Sequence, residues 1–244
     1  MQKTTLPIDL NCDLGESFGA YQLGNDAAIM PYVTSVNIAC GFHAGDPSVM
    51  QATVRLAKAH GVAIGAHPGW PDLQGFGRRE MNVAPAEAEA LVLYQIGALA
   101  AFVRAEGAEL THVKPHGALY NQAARDPALA EAVARAVKRF SVDLLLVGLA
   151  GCGLLEAGRG IGLRVAGEAF PDRAYNADGT LMSRHLPGAV LENPAEIAAN
   201  AVRLAREGIR FGEKVVIPDT LCLHGDHPGA VENACKVREA LLGI

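Results

Sequence analysis

The chain has 244 residues, 50% hydrophobic and 19% charged, which is enough for a single core that hides roughly 70 to 75% of the unfolded surface without disulfide or metal staples. Its formal net charge of -5, with no clustered basic face, excludes nucleic acid and anionic membrane as main partners, because both need concentrated Lys and Arg. Met1 to Cys12 lacks the apolar core of a signal peptide, Arg104 or glycines interrupt every long apolar stretch, and the five spaced cysteines form no CxxC pair. A cytoplasmic protein with reduced thiols is expected.

In chain order, short runs rich in Val, Ile and Leu occur at Leu6 to Cys12, Val33 to Cys40, Val62 to Ala66, Leu110 to Val113, Val142 to Leu149, Leu163 to Ala169 and Thr220 to Leu223. Such runs predict strands buried on both faces. Between them lie helical stripes, such as Leu91, Ile96, Leu99 and Val103, or Leu129, Val133, Val137 and Phe140. Helix starts are marked by Asp46 before Pro47, Asp126 before Pro127 and Asn193 before Pro194; a side-chain acceptor followed by a proline of preset φ suits a first helical turn. His60, before a glycine, suits a helix end. With no repeat, low-complexity segment or linker, residues 1–244 read as one domain. Alternating strands and helices predict parallel pairing, and about seven strands predict a distorted parallel β/α (TIM-like) barrel, with an open doubly wound sheet as the alternative.

The ionisable residues collect at the strand ends. The first strand runs into Asn11, Asp13 and Glu16, the second into His43 and Asp46, and the third into His67 and Asp72. The fourth ends in Lys114 and His116, the sixth in Glu168, Asp172 and Arg173, and the last in His224, Asp226 and His227. In a parallel barrel these ends open on one face, where residues distant in sequence converge. Taken singly each is more often a cap or loop residue, and Asp46 and Asp126 read as caps. Together, four histidines on four strands can act as acids and bases, or can bind a divalent metal at the barrel rim with Asp13, His67 and His116 or His43 as candidate ligands. No HExxH helix is present to favour the metal. Arg78 and Arg79, with Lys114 and Arg184, are candidate clamps for a carboxylate or phosphate. The Gly148, Gly151, Gly153 cluster lacks the Lys-Ser/Thr tail of a P-loop and reads as a tight turn.

The segments Asn11 to Gly19, Asn37 to Asp46, Gly65 to Asp72, Gly75 to Arg79, Val113 to Asn121 and Leu221 to Asp226 closely resemble, in order, those of the lactam-utilisation LamB/YcsF family, described as the A subunit of 5-oxoprolinase. Glu168, Phe170, Asp172, Arg173 and Tyr175 resemble a further motif of that family, with Pro171 and the Gly69-Trp70 pair as departures from it. The resemblance implies a barrel of the glycoside hydrolase/deacetylase type. It also implies a role in ATP-dependent opening of 5-oxoproline to L-glutamate with subunits B and C; ATP and its Mg2+ would be bound mainly by those partners. On this reading the catalytic candidates are Asp13, His43, His67, Lys114, His116, Glu168, His224 and Asp226. Asp13 with His67 or His116 would activate water or metal, and Lys114 and His224 would stabilise the oxyanion or the leaving amine. Asn11, Glu16, Arg78, Arg79 and Arg173 are the substrate-binding candidates, with Arg78 on the substrate carboxylate. The rival readings are a free-standing metal-dependent deacetylase or amidohydrolase, and a non-catalytic ligand-binding scaffold.

Overall fold

The computed structural model describes residues 6–183, 186–226 and 229–244; Arg184 and His227 lie outside them. The chain runs through β1 (Asp9–Leu14), α1 (Asp26–Ile29), a 3-10 turn (Met30–Tyr32), β2 (Ser35–Ala39), α2 (Pro47–His60), β3 (Ala63–His67) and α3 (Pro85–Ala105). It continues through β4 (Leu110–Val113), α4 (Gly117–Arg125), α5 (Pro127–Phe140), β5 (Leu145–Leu149), α6 (Gly153–Gly160) and β6 (Arg164–Ala169). Then follow α7 (Pro194–Glu207), β7 (Ile209–Phe211), β8 (Lys214–Val216), β9 (Thr220–Leu223) and α8 (Ala230–Leu242). Seven strands close a barrel in the order β1-β2-β3-β4-β5-β6-β9, while β7 and β8 form a separate antiparallel pair. Every neighbouring pair in the barrel is parallel, which rules out the open sheet.

The helices begin where the sequence predicts. Asp46 accepts from the backbone of Ser48 and Val49, Asp126 from Ala128 and Leu129, and Asn193 from Ala195, each ahead of a proline in the first turn. These side chains satisfy amides that have no partner within the helix. Gly61, with φ 61°, closes α2 in the left-handed conformation that glycine tolerates.

Two strand boundaries differ from expectation in a way that matters for the site. β1 continues past Cys12 to Leu14 and β3 reaches His67, so Asp13 and His67 lie within strands. Their polarity hides the strand from an apolar-run reading, while the backbone ladder with β2 and β9 continues through them. A third shift lies away from the site: β5 starts at Leu145, because Val142 lies exposed in the preceding turn.

Side chains two apart on a strand share a face. The residues facing inward are consequently Asp9, Asn11 and Asp13 of β1, Asn37 of β2, His112 of β4 with Lys114 just beyond it, Glu168 of β6, and Thr220 and Cys222 of β9. The interior of this barrel is therefore a polar column, and the apolar core lies between the barrel wall and the helices. Register places Asp13 opposite Asn37, Asn37 opposite Gly65, and Gly65 opposite His112. A Cβ on Gly65 would sit 2.1 Å from His112 Nε2, so the absent side chain is what lets His112 reach across β3 to Asn37.

Candidate active site

Lys114 organises the column. Its side chain is fully enclosed, with Nζ 2.8 Å from Asp13 Oδ1, 2.9 Å from Glu168 Oε1 and 2.9 Å from Cys222 Sγ, and it donates to Asn11 Oδ1 at 3.3 Å. Burial opposes its charge, but Asp13 and Glu168 are among the attractions that hold its pKa above the ordinary lysine value. Burial likewise opposes ionisation of Asp13, and His67 and Lys114 outweigh it, holding that carboxyl well below its usual range. Asn37 donates to both Asn11 Oδ1 and Asp13 Oδ1, Asn11 donates to Glu168 Oε1 and Thr220 Oγ1, and Tyr120 donates to Glu168 Oε2. His112 Nε2 lies 2.9 Å from Asn37 Oδ1, and burial lowers its pKa to about 4. A network satisfied to this degree fixes each member's orientation.

Above Lys114, at the mouth, Glu16, His43, His67 and His116 converge, with one ligand-type atom from each inside a 4.8 Å span. A carbonyl can only accept, so His67 donates through Nδ1 to the Lys114 carbonyl at 2.7 Å, and His116 through Nε2 to the Phe76 carbonyl at 2.8 Å. The remaining nitrogens, His67 Nε2 and His116 Nδ1, face each other at 3.0 Å. Two lone pairs at that distance require a proton or a cation between them. His43 stacks flat on His116, with ring centroids 3.8 Å apart, and its Nε2 lies 3.7 Å from Glu16 Oε1; His116 Nδ1 lies 3.9 Å from the same oxygen. Both separations are too long for hydrogen bonds. Glu16 Oε1 and both His43 ring nitrogens are buried with no hydrogen-bond partner among the described residues.

These features fit a divalent cation. Ligand atoms around a tetrahedral zinc at about 2.1 Å stand roughly 3.4 Å apart, within the spread seen here, and anchoring the far ring nitrogen on a carbonyl is the usual way a metal-binding imidazole is oriented. Burial, followed by the neighbouring imidazoles, pushes His43 and His116 well below the usual histidine pKa and so keeps them neutral, as ligands must be. Burial, followed by Asp13 and Asp226, pushes Glu16 up; a bound cation reverses that preference. Asp13, expected as a ligand, touches the group through Oδ2 at 3.2 Å from His67 Nε2 but is committed to Lys114 and Asn37 through Oδ1. Glu16, expected as a substrate contact, is the carboxylate that lies within the 4.8 Å group. Gly77, with φ 64°, lies under the paired rings, where a Cβ would sit 2.7 Å from His43 Cβ and 2.8 Å from His116 Cδ2.

The other expected residues are distributed around the mouth. His224 is held through Nδ1 by Asp172 Oδ2 at 2.6 Å and stacks on Phe170. Arg78 bridges to Asp226 at 2.6 Å and lies over the Phe76 ring. Arg79 points outward with its side chain 65% exposed and pairs with Asp72. Arg173 is buried and donates to the carbonyls of Ala189 and Met182, tying down the loop after β6. Sequence reasoning did not single out Asn37, His112 or Tyr120. The available signal was period-two placement, since His112 shares a strand face with Lys114, and Asn37 is a polar residue inside an apolar run.

The LamB/YcsF family model matches residues 8–243. The chain belongs to that family. Among curated family members, the 5-oxoprolinase A subunit of Tolumonas auensis is 56% identical over 96% of this chain and 95% of its own length, and that of Symbiobacterium thermophilum is 58% identical over 96% and 91%. The solved lactam utilization protein of Thermus thermophilus superposes with a TM-score of 0.88 at 54% identity, covering 96% of this family member and 95% of that chain. A solved structure from Enterococcus faecalis V583, with 12% identity and a TM-score of 0.52, shares the fold alone.

Proposed function

We propose that this family member is the A subunit of a cytoplasmic 5-oxoprolinase, opening the 5-oxoproline lactam to L-glutamate with ATP hydrolysis, together with subunits B and C. The names of relatives matching nearly end to end support the role. The observation that carries the chemistry is the convergence of Lys114, Asp13 and the Glu16, His43, His67, His116 group at the mouth of one barrel. A five-membered lactam is a stable amide, and its reclosure is favoured by proximity; coupling to ATP supplies the driving force and activates the carbonyl oxygen. Water then adds to the carbonyl carbon, the C–N bond breaks, the nitrogen takes a proton, and a second water releases the phosphoryl group from the resulting acyl phosphate, leaving glutamate, ADP and inorganic phosphate.

In this assignment the Asp13 carboxylate receives the water's proton through Oδ2, fixed from behind by Lys114 on Oδ1, while His67, whose Nδ1 is spent on the Lys114 carbonyl, would hold the cation through its Nε2. His224, oriented by Asp172, delivers the proton to the departing nitrogen. Arg78 leaves Asp226 to take the substrate carboxylate, for which a guanidinium offers two parallel donors. Lys114 acts from within the wall, countering negative charge as it develops above Asp13. Glu16, His43, His67 and His116 would hold a divalent cation, which supplies Lewis acidity to the oxygen that becomes negative. ATP and Mg2+ are assigned mainly to the partner subunits, since no P-loop sequence is present in this chain.

The test is glutamate release from 5-oxoproline by the purified chain, alone and with subunits B and C, with and without ATP. Release that requires all three subunits and ATP is expected. ATP-independent hydrolysis of amides by the chain alone would replace the proposal with a free-standing metal-dependent amidohydrolase, a reading favoured only by the histidine-rich cation group. Metal content by elemental analysis, before and after substitution of His43 and His116, tests the cation separately.

A further inference from the structure

α3 buries Ala88, Val92, Gln95, Ile96, Leu99 and Val103 against the rest of the fold. It is apolar enough over 18 residues to resemble a membrane span, yet only 33% of that window is buried. The outer stripe, at alternating spacings of three and four, is Glu87, Ala90, Tyr94, Gly97, Ala101 and Arg104; all are exposed except the partly covered Gly97. Tyr94 stands 64% exposed. Glu87 and Arg104 have no ion-pair partner among the described residues. A Cβ on Gly97 would meet nothing within 4 Å, so packing inside this chain does not explain a mid-helix glycine, which weakens a helix relative to alanine.

We propose that this face joins two copies of the chain in an antiparallel, twofold α3–α3 contact. If the axis passes between Gln95 and Ile96, Glu87 faces Arg104 of the second copy, Ala90 faces Ala101, and Tyr94 drops onto the notch left by Gly97; each pair occurs twice, as a closed twofold interface requires. Charge and size are complementary in this register. A parallel pairing would instead set Glu87 on Glu87, Arg104 on Arg104 and Tyr94 on Tyr94. Small residues at the crossing let the helix axes approach closely, and the stretch from Glu87 to Arg104 spans about 25 Å of helix. Tyr94 also stacks on Phe42, with ring centroids 5.3 Å apart. Phe42 precedes His43, so the contact braces the loop that carries one of the four converging residues.

The experiment is sedimentation equilibrium of the full chain over micromolar to hundred-micromolar concentrations. Wild type is expected to reach twice the monomer mass. Gly97→Leu, whose side chain enters open space in the monomer, is expected to weaken association at least tenfold without lowering thermal stability. Glu87→Arg and Arg104→Glu are each expected to do the same, and the double reversal to restore association. A wild type that stays monomeric, a Gly97→Leu chain that still dimerises, or no restoration by the double reversal overturns the proposal. So does loss of binding to subunits B and C by these variants with a monomeric wild type, which would give the face to a different protein.

Discussion

Replacing Lys114 with methionine isolates the element on which the barrel interior depends. The ammonium lies 2.8 Å from Asp13 and 2.9 Å from Glu168, with 2% of its side chain exposed. Methionine fills much of the same volume, so packing changes little, but two buried carboxylates lose their common cation. Breaking a buried pair from one side costs about 3 to 5 kcal/mol because the orphaned charge stays desolvated, and here one lysine serves two acids. Lys114→Met is therefore expected to lower unfolding free energy by about 4 kcal/mol, read from the urea midpoint at unchanged slope. Glu168→Gln in the same background removes one orphaned charge; its single amide oxygen accepts from Asn11 in place of Oε1, and its NH2 donates to the Tyr120 hydroxyl oxygen in place of Oε2. The double variant is expected to be more stable than the sum of the single losses by about 1 to 3 kcal/mol. A Lys114→Met loss under about 1 kcal/mol, or strict additivity with Glu168→Gln, would refute the view that this lysine neutralises the pair.

Gly65→Ala places a methyl where His112 Nε2 now stands 2.1 Å from the ideal Cβ; it should cost about 1 to 3 kcal/mol by thermal or urea unfolding, and an unchanged midpoint would show that His112 can move freely. Glu89 links α3 to α5 through Arg139 at 2.7 Å and Arg135 at 2.9 Å, and these bonds hold its carboxyl below the usual glutamate range. Glu89→Gln should cost up to about 1 kcal/mol at pH 7. Because the folded pKa is depressed, that stabilisation is present above the unfolded value near about 4.3 and is lost as pH falls through the folded one, so equal wild-type and variant gaps at pH 7 and pH 3 would contradict it. Asp172→Ala should lower kcat of the reconstituted complex about 10²-fold with little change in KM, and Asp172→Asn, which keeps an acceptor for His224, should recover part of it; equal activity of the alanine variant would remove Asp172 as a positioning residue.

Much of the architecture was readable from the chain because parallel barrel strands are short, apolar and flanked by strong caps such as Asp46-Pro47 and Asp126-Pro127. The residues that converge were readable as strand ends: Asp13, His67, Lys114, His116 and Glu168 all meet in the structure. What sequence order did not convey is depth. Lys114 looked like a rim cation, but its side chain turns down into the barrel, because the polar column below offers two carboxylates that solvent would otherwise have to screen. Arg79 and Arg173 have the same residue type as Arg78 and differ only in local partners, Asp72 for one and loop carbonyls for the other. That Glu16 is the carboxylate grouped with the three histidines, while Asp13 faces Lys114, depends on a pairing made across the barrel between residues far apart in the chain.

The most direct test of the central claim is the Asp13→Asn variant in the complex with subunits B and C, assayed for ATP-dependent glutamate release from 5-oxoproline. Asparagine keeps the shape and the Lys114 contact but cannot take a proton from water, so turnover is expected to fall by at least about 10²-fold while the complex still assembles. Wild-type turnover by that variant would contradict the placement of the ring-opening chemistry in this barrel.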